Sequence, residues 1–317
     1  MTIRPSPPRR EPTPGLVVLD KPQGLTSHDC VARLRRLADA KKVGHAGTLD
    51  PLATGVLVLG VGRATRFLTF LVGLGKRYAA TIRLGQSTTT DDADGAPTGG
   101  AVASALSPSR VETALRPLRG TLLQVPSAHS AVKVGGVRAY ARARAGEDVV
   151  LPARQVEVSR FDLVRSRRLG DWLDLDVVVE CSSGTYVRAL ARDLGTALGV
   201  GGHITALRRT ALGPFDVSSA TTLEALAEDF AVAPLGDAAA QLFPVLRLNA
   251  AAAESLAHGQ RLPWSEPVPA SPAGPRLRHR DTSDLVAALA EDGALVALVR
   301  PEGQGEAARF RAVAVFR

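Results

Sequence analysis

Cysteine is almost absent from this chain of 317 residues: Cys30 and Cys181 stand far apart and form no metal-ligand spacing. Such sparing use points to a reducing compartment and argues against a zinc or iron–sulfur centre. No His-x-x-x-His pair and no carboxylate cluster suggests another metal. The usual phosphate cradles are missing as well. Gly60-Val61-Gly62 has no third glycine at the required offset, and Gly75-Lys76 is followed by Arg77 where Ser or Thr is needed. There is no Gly-x-Ser-x-Gly elbow. No apolar run approaches the ~18 residues that span a bilayer, and the N-terminus carries no apolar signal core. A cytoplasmic protein with no membrane association is therefore expected. If the chain is an enzyme, the chemistry left to it uses no cofactor and no metal.

Aromatic residues make up only 4% of the chain, with three tyrosines, Tyr78, Tyr140 and Tyr186. What the chain does have is basic charge, 39 Lys plus Arg against 31 Asp plus Glu, or +8. That balance favours a polyanionic partner, a nucleic acid or an anionic membrane. A hydrophobic share of 45% with 22% charged residues is ordinary for a globular protein.

The N-terminal 14 residues, with five prolines and three arginines, cannot bury a core and read as a disordered basic tail. Leu16-Val17-Val18-Leu19 reads as a short buried strand. Thr26 or Ser27 caps a helix with Val31, Leu34 and Leu37 inward. The outer face of that helix holds Arg33, Arg35 and Arg36, with Lys41 and Lys42 beyond, either a solvated face or a phosphate-binding strip. Alternation from residue 77 to 84 marks a half-buried strand with Tyr78, Ala80, Ile82 and Leu84 on one side. Residues 87–100 read as a loop, and Ser107 or Ser109 opens a helix, with a possible Ser109–Glu112 capping box. Leu173, Leu175, Val177 and Val179 alternate as a strand. A helix with Leu190, Ala191, Leu194 and Leu198 inward follows and stops at Gly199. After a proline-rich linker, residues 263–275, the runs 295–299 and 313–316 read as strands of a small β-rich module. Strands and helices mix without regular βαβ alternation, so the class is α+β.

The stretch from Gly44 through His45, Gly47, Thr48 and Leu49 to Asp50 and Pro51 places one carboxylate among turn-formers. Gly44 and Gly47 open backbone angles closed to other residues, and Pro51 biases Asp50 away from helix. The apolar run Val56-Leu57-Val58-Leu59 follows, a buried strand or a short core helix. An acid on a stiff loop over a packed core suits a nucleophile or base. The plainer alternative is an Asx-turn in which Asp50 bonds its own backbone. Farther on, Tyr186 and Arg188 are two apart and share a face only while the backbone is extended, so regular helix is expected to start no earlier than Val187.

These segments together resemble the TruB family, bacterial synthases that make pseudouridine at position 55 of tRNA. Gly44-His45-Ala46-Gly47-Thr48-Leu49-Asp50-Pro51-Leu52-Ala53-Thr54-Gly55-Val56-Leu57 is similar to the family's catalytic signature, with Ala46 where Thr is usual. Asp20-Lys21-Pro22-Gln23-Gly24-Leu25-Thr26-Ser27 resembles its first motif and Lys76-Arg77-Tyr78 its second-strand motif. Ser183-Gly184-Thr185-Tyr186-Val187-Arg188 resembles its Gly-Thr-Tyr-Ile-Arg segment, with Leu207-Arg208-Arg209 at the matching distance downstream. One departure is His129, in Pro126-Ser127-Ala128-His129-Ser130-Ala131, where Tyr is typical.

The resemblance implies a pseudouridine-synthase fold: a central mixed, mostly antiparallel sheet flanked by helices over residues 15–248, then a PUA-like RNA-binding module over 249–317. It implies an isomerase with Asp50 as nucleophile and Arg188 pairing with it, lowering its pKa and aiming it. Tyr78 would stack on the base and assist proton transfer from C5. Tyr186, Leu207 and Lys21 would join the substrate contacts, and His45 would fill the space vacated by the flipped uridine. His45 as a locally hydrogen-bonded turn histidine is the alternative. The implied partner is the T-arm of tRNA, with no cofactor, no obligate protein partner and a monomeric state. Two other readings are an RNA-binding or tRNA-folding protein using the same site for T-loop recognition, and a guide-RNA-dependent relative needing protein partners.

Overall fold

The computed structural model describes residues 13–127, 133–134, 137–138, 151–263, 282, 284–303 and 308–317. Most of the N-terminal tail, His129, Tyr140 and the proline-rich segment after Pro263 lie outside these residues.

The first half of the chain runs β1 (Gly15–Lys21), helix α1 (Ser27–Leu37), β2 (Val43–Ala46) and β3 (Thr54–Val61). A 3₁₀ segment Gly62–Phe70 leads into β4 (Lys76–Leu84). The 87–100 region, expected as plain loop, carries a short hairpin of β5 (Ser87–Thr88) and β6 (Pro97–Gly99). Helix α2 (Pro108–Leu115), β7 (Gly120–Gln124), β8 (Lys133–Val134) and β9 (Val137–Arg138) follow. Next come β10 (Arg154–Leu169), β11 (Trp172–Cys181), helix α3 (Val187–Leu198), β12 (Gly202–Leu212) and β13 (Phe215–Asp216).

The main sheet has the order β1-β3-β12-β4-β11-β10-β7, with β2 on β3 and β13 on β12. Every pairing in it is antiparallel except β3 with β12, which run parallel over Thr54↔Arg208 and Gly55↔Arg209. It is the mixed, mostly antiparallel sheet expected. The run from Val56 is strand, and it is buried on both faces: Leu57, Leu59 and Val61 feed one core, Val56 and Val58 the other. A strand covered on both sides loses the alternation that would have told it from a buried helix.

Local chemistry sets the helix ends. Thr26 caps α1 in a reciprocal capping box with Asp29. At α2 the cap is Ser107, which accepts from the Arg110 N–H, because Pro108 takes the first helical position. The Ser109–Glu112 box is not formed; the Glu112 carboxylate is taken by Arg119 at 2.7 Å. Helix α3 stops at Gly199, left-handed at φ 73°.

Short helices α4 (Leu223–Glu228) and α5 (Leu235–Ala240) cover the β1 side. Then β14 (Val245–Arg247), helix α6 (Ala250–Ala257), β15 (Leu262–Pro263), β16 (Val286–Leu289), β17 (Leu295–Glu302) and β18 (Arg309–Val315) build a second sheet, ordered β14-β16-β17-β18-β15. One face of it has its own core around Leu256 and Val296. The other joins the main domain: Phe316 lies 5.8 Å from Phe67, and Phe67 lies 6.4 Å from Phe243, ring centre to ring centre. Among the described residues no helix is long and apolar enough to cross a membrane.

Candidate active site

Asp50 sits on the connection between β2 and β3, and the backbone of that connection is held almost atom by atom. Arg209 donates to the carbonyls of Gly47 (3.1 Å) and Thr48 (3.4 Å). Ser27 Oγ both accepts from the Leu49 N–H (2.8 Å) and donates to the Leu49 carbonyl (3.1 Å). The Asp50 carbonyl takes the Ala53 N–H, and the Pro51 carbonyl takes the Gly24 N–H. Each carbonyl from Gly47 to Pro51 thus has a donor, which makes the loop rigid. The Asp50 carboxylate does not turn back on its own loop in an Asx-turn. Its Oδ2 lies 3.0 Å from Arg188 Nε.

Arg188 stands in the first turn of α3, whose regular geometry begins at Val187, as the spacing argument required. Tyr186 is still extended, and the Gln124 side-chain amide pins its backbone at both N–H and carbonyl. The arginine is shared. Its second arm reaches Asp92 Oδ2 at 3.3 Å, the Thr90 carbonyl at 2.7 Å and Ser127 Oγ at 3.3 Å. Arg188 and Asp92 are buried, while the Asp50 side chain keeps 38% of its surface open to the cleft.

The electrostatic balance on Asp50 differs from the expectation that Arg188 would hold its carboxyl low. Enclosure in the cleft pushes the Asp50 pKa above the ordinary carboxylate value. Arg188 pulls it back only in part, Asp92 pushes with the burial, and Lys21 pulls with the arginine. Arg188 offsets the cost of ionising Asp50 but does not outweigh it, since that guanidinium also serves Asp92.

Around the carboxylate lies a cleft of about 330 Å³, lined by Asp50, Tyr78, Tyr186, Arg188, Leu207, Lys76, Val72 and the Ser183–Thr185 turn. Its size falls at the lower end for small-ligand sites. Tyr78 and Leu207 come from adjacent strands β4 and β12 and are themselves buried, forming an apolar platform. Burial lifts the Tyr78 hydroxyl to about 12 despite the pull of Arg209, so the ring is a neutral phenol.

Two expected substrate contacts are placed elsewhere. Lys21 is fully buried and does not line the cleft. Its ammonium donates to the carbonyls of Leu25 (2.6 Å), Pro22 (2.9 Å) and Pro51 (3.4 Å), joining the first motif to the Asp50 loop. That geometry supports a loop-positioning part for Lys21, since a side chain with no surface cannot reach a substrate. His45 lines a second, open groove of about 520 Å³ with Arg35, Lys41, Lys42 and Thr69, and Val72 borders both spaces. The His45 ring stacks edge-on to His28 at 5.6 Å, and its Nδ1 has no hydrogen-bond partner. The ring also makes a hydrogen bond to the backbone of Gly47, two residues on, which is the local bond of the alternative reading. Burial and the nearby His28 and Arg209 hold its pKa down, so the imidazole is neutral.

Three side chains with no assigned role emerge from the coordinates. Asp92 is drawn in by the hairpin of β5 and β6, and no local pattern marks it. Lys76 lines the cleft one strand pitch from Tyr78, its pKa lowered to about 8 by burial and by Arg209. Arg209 is wholly buried. Lys76 and Arg209 lie inside the segments singled out on sequence, and the period-2 alternation of β4 already put Lys76 on the face of Tyr78.

The chain matches two family models. Residues 35–187 match that of the N-terminal domain of TruB family pseudouridylate synthases, and residues 188–247 match a tRNA pseudouridylate synthase B C-terminal domain. It is 54% identical over 292 residues to the tRNA pseudouridine synthase B of Arthrobacter sp. (strain FB24), covering 91% of this chain and 93% of that one. To the protein of the same description from Thermobifida fusca (strain YX) it is 53% identical over 288 residues, 90% and 93% of the two chains. Among solved structures it is similar to a chain of a Cbf5-Nop10-Gar1 complex, with a TM-score of 0.69 at 26% identity over 96% of this chain and 85% of that one. A chain of an H/ACA RNP bound to a substrate RNA containing 2′-deoxyuridine gives 0.68 at 25% identity, with the same coverage of 96% and 85%.

Proposed function

The chain belongs to the TruB family of pseudouridylate synthases and makes pseudouridine in tRNA; from that premise we propose that its target is uridine 55 in the T-loop and that Asp50 is the nucleophile. The observation that carries the assignment of Asp50 is its position: a carboxylate at the floor of a cleft, on a rigid loop, facing a buried arginine across 3.0 Å.

The reaction breaks the N1–C1′ bond of uridine and joins C5 to C1′. C5 loses a proton and N1 gains one, so the product is an isomer and no electrons need a carrier. A base stacked in a folded loop is out of reach of any side chain. It must be everted, at a cost of a few kcal/mol. Tyr78 and Leu207 offer the platform on which the everted base rests, with Tyr186 beside it, and the neutral Tyr78 hydroxyl relays the C5 proton. A carboxylate already short of water is a stronger nucleophile than a solvated one, and Arg188 keeps it aimed.

The groove next to the cleft takes the neighbouring RNA. Arg35, Lys41 and Lys42 meet backbone phosphates there, and the neutral His45 fills the space left by the uridine. The second sheet adds an RNA-binding surface. Since Phe316 and Phe67 share one core, deleting residues 249–317 would uncover the main domain, so charge reversal at the exposed Arg247 and Arg261 is the cleaner probe. The double reversal should weaken tRNA binding and leave turnover at saturating tRNA unchanged.

In this reading the chain works as a monomer in the cytoplasm without a protein partner. The deciding experiment incubates purified protein alone with unmodified tRNA and maps pseudouridine at base resolution. Conversion at position 55 is expected. Conversion elsewhere, or only after another protein is added, would refute the corresponding part.

A further inference from the structure

Arg209 is the largest fully buried side chain of the described residues, and it carries a charge. Three hydrogen bonds go to backbone, Nε to the Val56 carbonyl at 2.6 Å, Nη2 to Gly47 at 3.1 Å and Nη1 to Thr48 at 3.4 Å, and the guanidinium also bonds the Tyr78 side chain. No carboxylate pairs with it among the described residues. A buried cation without a counter-ion is costly, and an apolar residue of similar volume would fill the same space at less expense. The three carbonyls have one thing in common. Gly47 and Thr48 precede Asp50 and Val56 follows it, so one planar fork holds both ends of the loop that presents the carboxylate.

The Arg209 main chain does the same from the other side. It pairs with Gly55 in the two-residue parallel join of β3 and β12, so tightly that a Cβ at Gly55 would come 2.2 Å from the Arg209 carbonyl oxygen. Gly55 has φ 96°, a left-handed angle that suits glycine. Side chain and backbone of one residue therefore fix where the Asp50 loop leaves the sheet and where it returns. The guanidinium also lies against the two other polar groups on the cleft floor, Tyr78 and Lys76.

We propose that Arg209 is a positioning residue of the reaction, clamping both ends of the Asp50 loop so that the carboxylate meets C1′ or the base in line. This rests on the assignment of Asp50 as nucleophile. Lys21 and Ser27 hold the middle of the loop; among the described residues Arg209 is the one that spans its ends. A lysine keeps the charge and reaches at most part of the fork, and glutamine keeps hydrogen bonding without the charge.

The test compares Arg209→Lys and Arg209→Gln with the wild type, measuring tRNA affinity and binding stoichiometry, single-turnover rate, kcat, KM and melting temperature. A shift of about 1 Å at a reacting group costs ~100-fold in rate. Both variants should bind one tRNA per chain with KM and Kd within about threefold of wild type, while kcat and the single-turnover rate drop ~100-fold, less for lysine than for glutamine. A core variant with the same fall in melting temperature, Leu34→Ala, should keep the wild-type rate per bound tRNA. If Arg209→Gln fails to fold, Arg209→Lys decides alone. Wild-type kcat in the soluble variants would overturn the proposal, as would a loss confined to KM, or a rate loss that Leu34→Ala reproduces. If instead wild-type protein does not modify tRNA, or Asp50→Asn does, the reading of the site fails and not merely the role of Arg209.

Discussion

Asp50 Oδ2 and Arg188 Nε lie 3.0 Å apart, the arginine closed off from solvent and the carboxylate open to the cleft. The pair is asymmetric, because the other arm of the guanidinium holds Asp92 and the Thr90 carbonyl. Replacing Arg188 with lysine keeps a charge but cannot span Asp50 and Asp92 at once. The rate should fall ~100-fold while tRNA binding stays within about threefold. Arg188→Met removes the one strong pull against the burial of Asp50, so its pKa rises further. As the proposed nucleophile, Asp50 must be ionised, so activity should be lost as pH falls through that pKa. The acid limb of the single-turnover rate should therefore move to higher pH in Arg188→Met, and an unmoved limb would show that Asp50 ionisation does not govern the rate.

Stability carries the opposite sign. The folded pKa of Asp50 lies above its unfolded value, so the native state binds this proton more tightly than the unfolded chain does. Ionising the group costs the fold above the native pKa, and the cost vanishes below the unfolded pKa near ~3.9. Asp50→Asn should accordingly raise the melting temperature at neutral pH and lose that advantage as the buffer approaches pH 4. The same variant should make no pseudouridine and bind tRNA within about threefold of wild type. Melting curves at several pH values, with filter binding, check both halves. A lower melting temperature at neutral pH would mean that the ion pair stabilises the fold outright.

How much of this was legible in the sequence depended on whether the information was local. A cap at Thr26 or Ser27, Gly199 as stop and the start of α3 at Val187 follow from one or two turns of chain; the structure puts the cap at Thr26 and has the other two. The β4 alternation likewise sends Tyr78 inward. The choice between Ser107 and Ser109 turned on Pro108, also local. What pattern could not reach is register between distant strands. The parallel join of Gly55 to Arg209 and the approach of Asp92 to Arg188 link segments that are far apart in sequence, and no periodicity encodes them. Lys21 shows the same limit: a lysine near a motif looks like a ligand contact until the fold closes over it and gives its three donors to carbonyls.

Tyr78 separates two contributions that a single substitution would mix. Its ring is buried in the core that also holds Leu207, and its hydroxyl, lifted to about 12, stays protonated across the working range. Tyr78→Phe keeps the platform and removes the hydroxyl, so tRNA affinity should hold while the rate falls by the ~100-fold or more typical of a lost proton-transfer group. Tyr78→Leu removes the aromatic face too and should weaken binding, since stacking one base on a ring contributes ~1–3 kcal/mol. Equal affinities for the two variants would exclude a stacking role.

Lys76 gives the cleft a charge that ordinary pH can switch. Its pKa is lowered to about 8, mainly by burial, with Arg209 from β12 adding to the fall and Cys181 from β11 opposing it. The ammonium is present below that value and lost above it. An everted nucleotide brings its phosphates toward this wall, so binding should weaken between pH 7 and pH 9 as the charge disappears. Lys76→Arg, which stays charged throughout, should bind as well at pH 9 as at pH 7. Lys76→Met should be weaker than wild type at pH 7 and level with it at pH 9, with a shallower salt dependence at the lower pH only. Cys181 loses its proton only near 11, so it does not mimic the effect in that window. Binding isotherms for the three proteins at two pH values and two salt concentrations suffice, and a wild-type affinity that is flat from pH 7 to pH 9 would remove Lys76 from the RNA-binding surface.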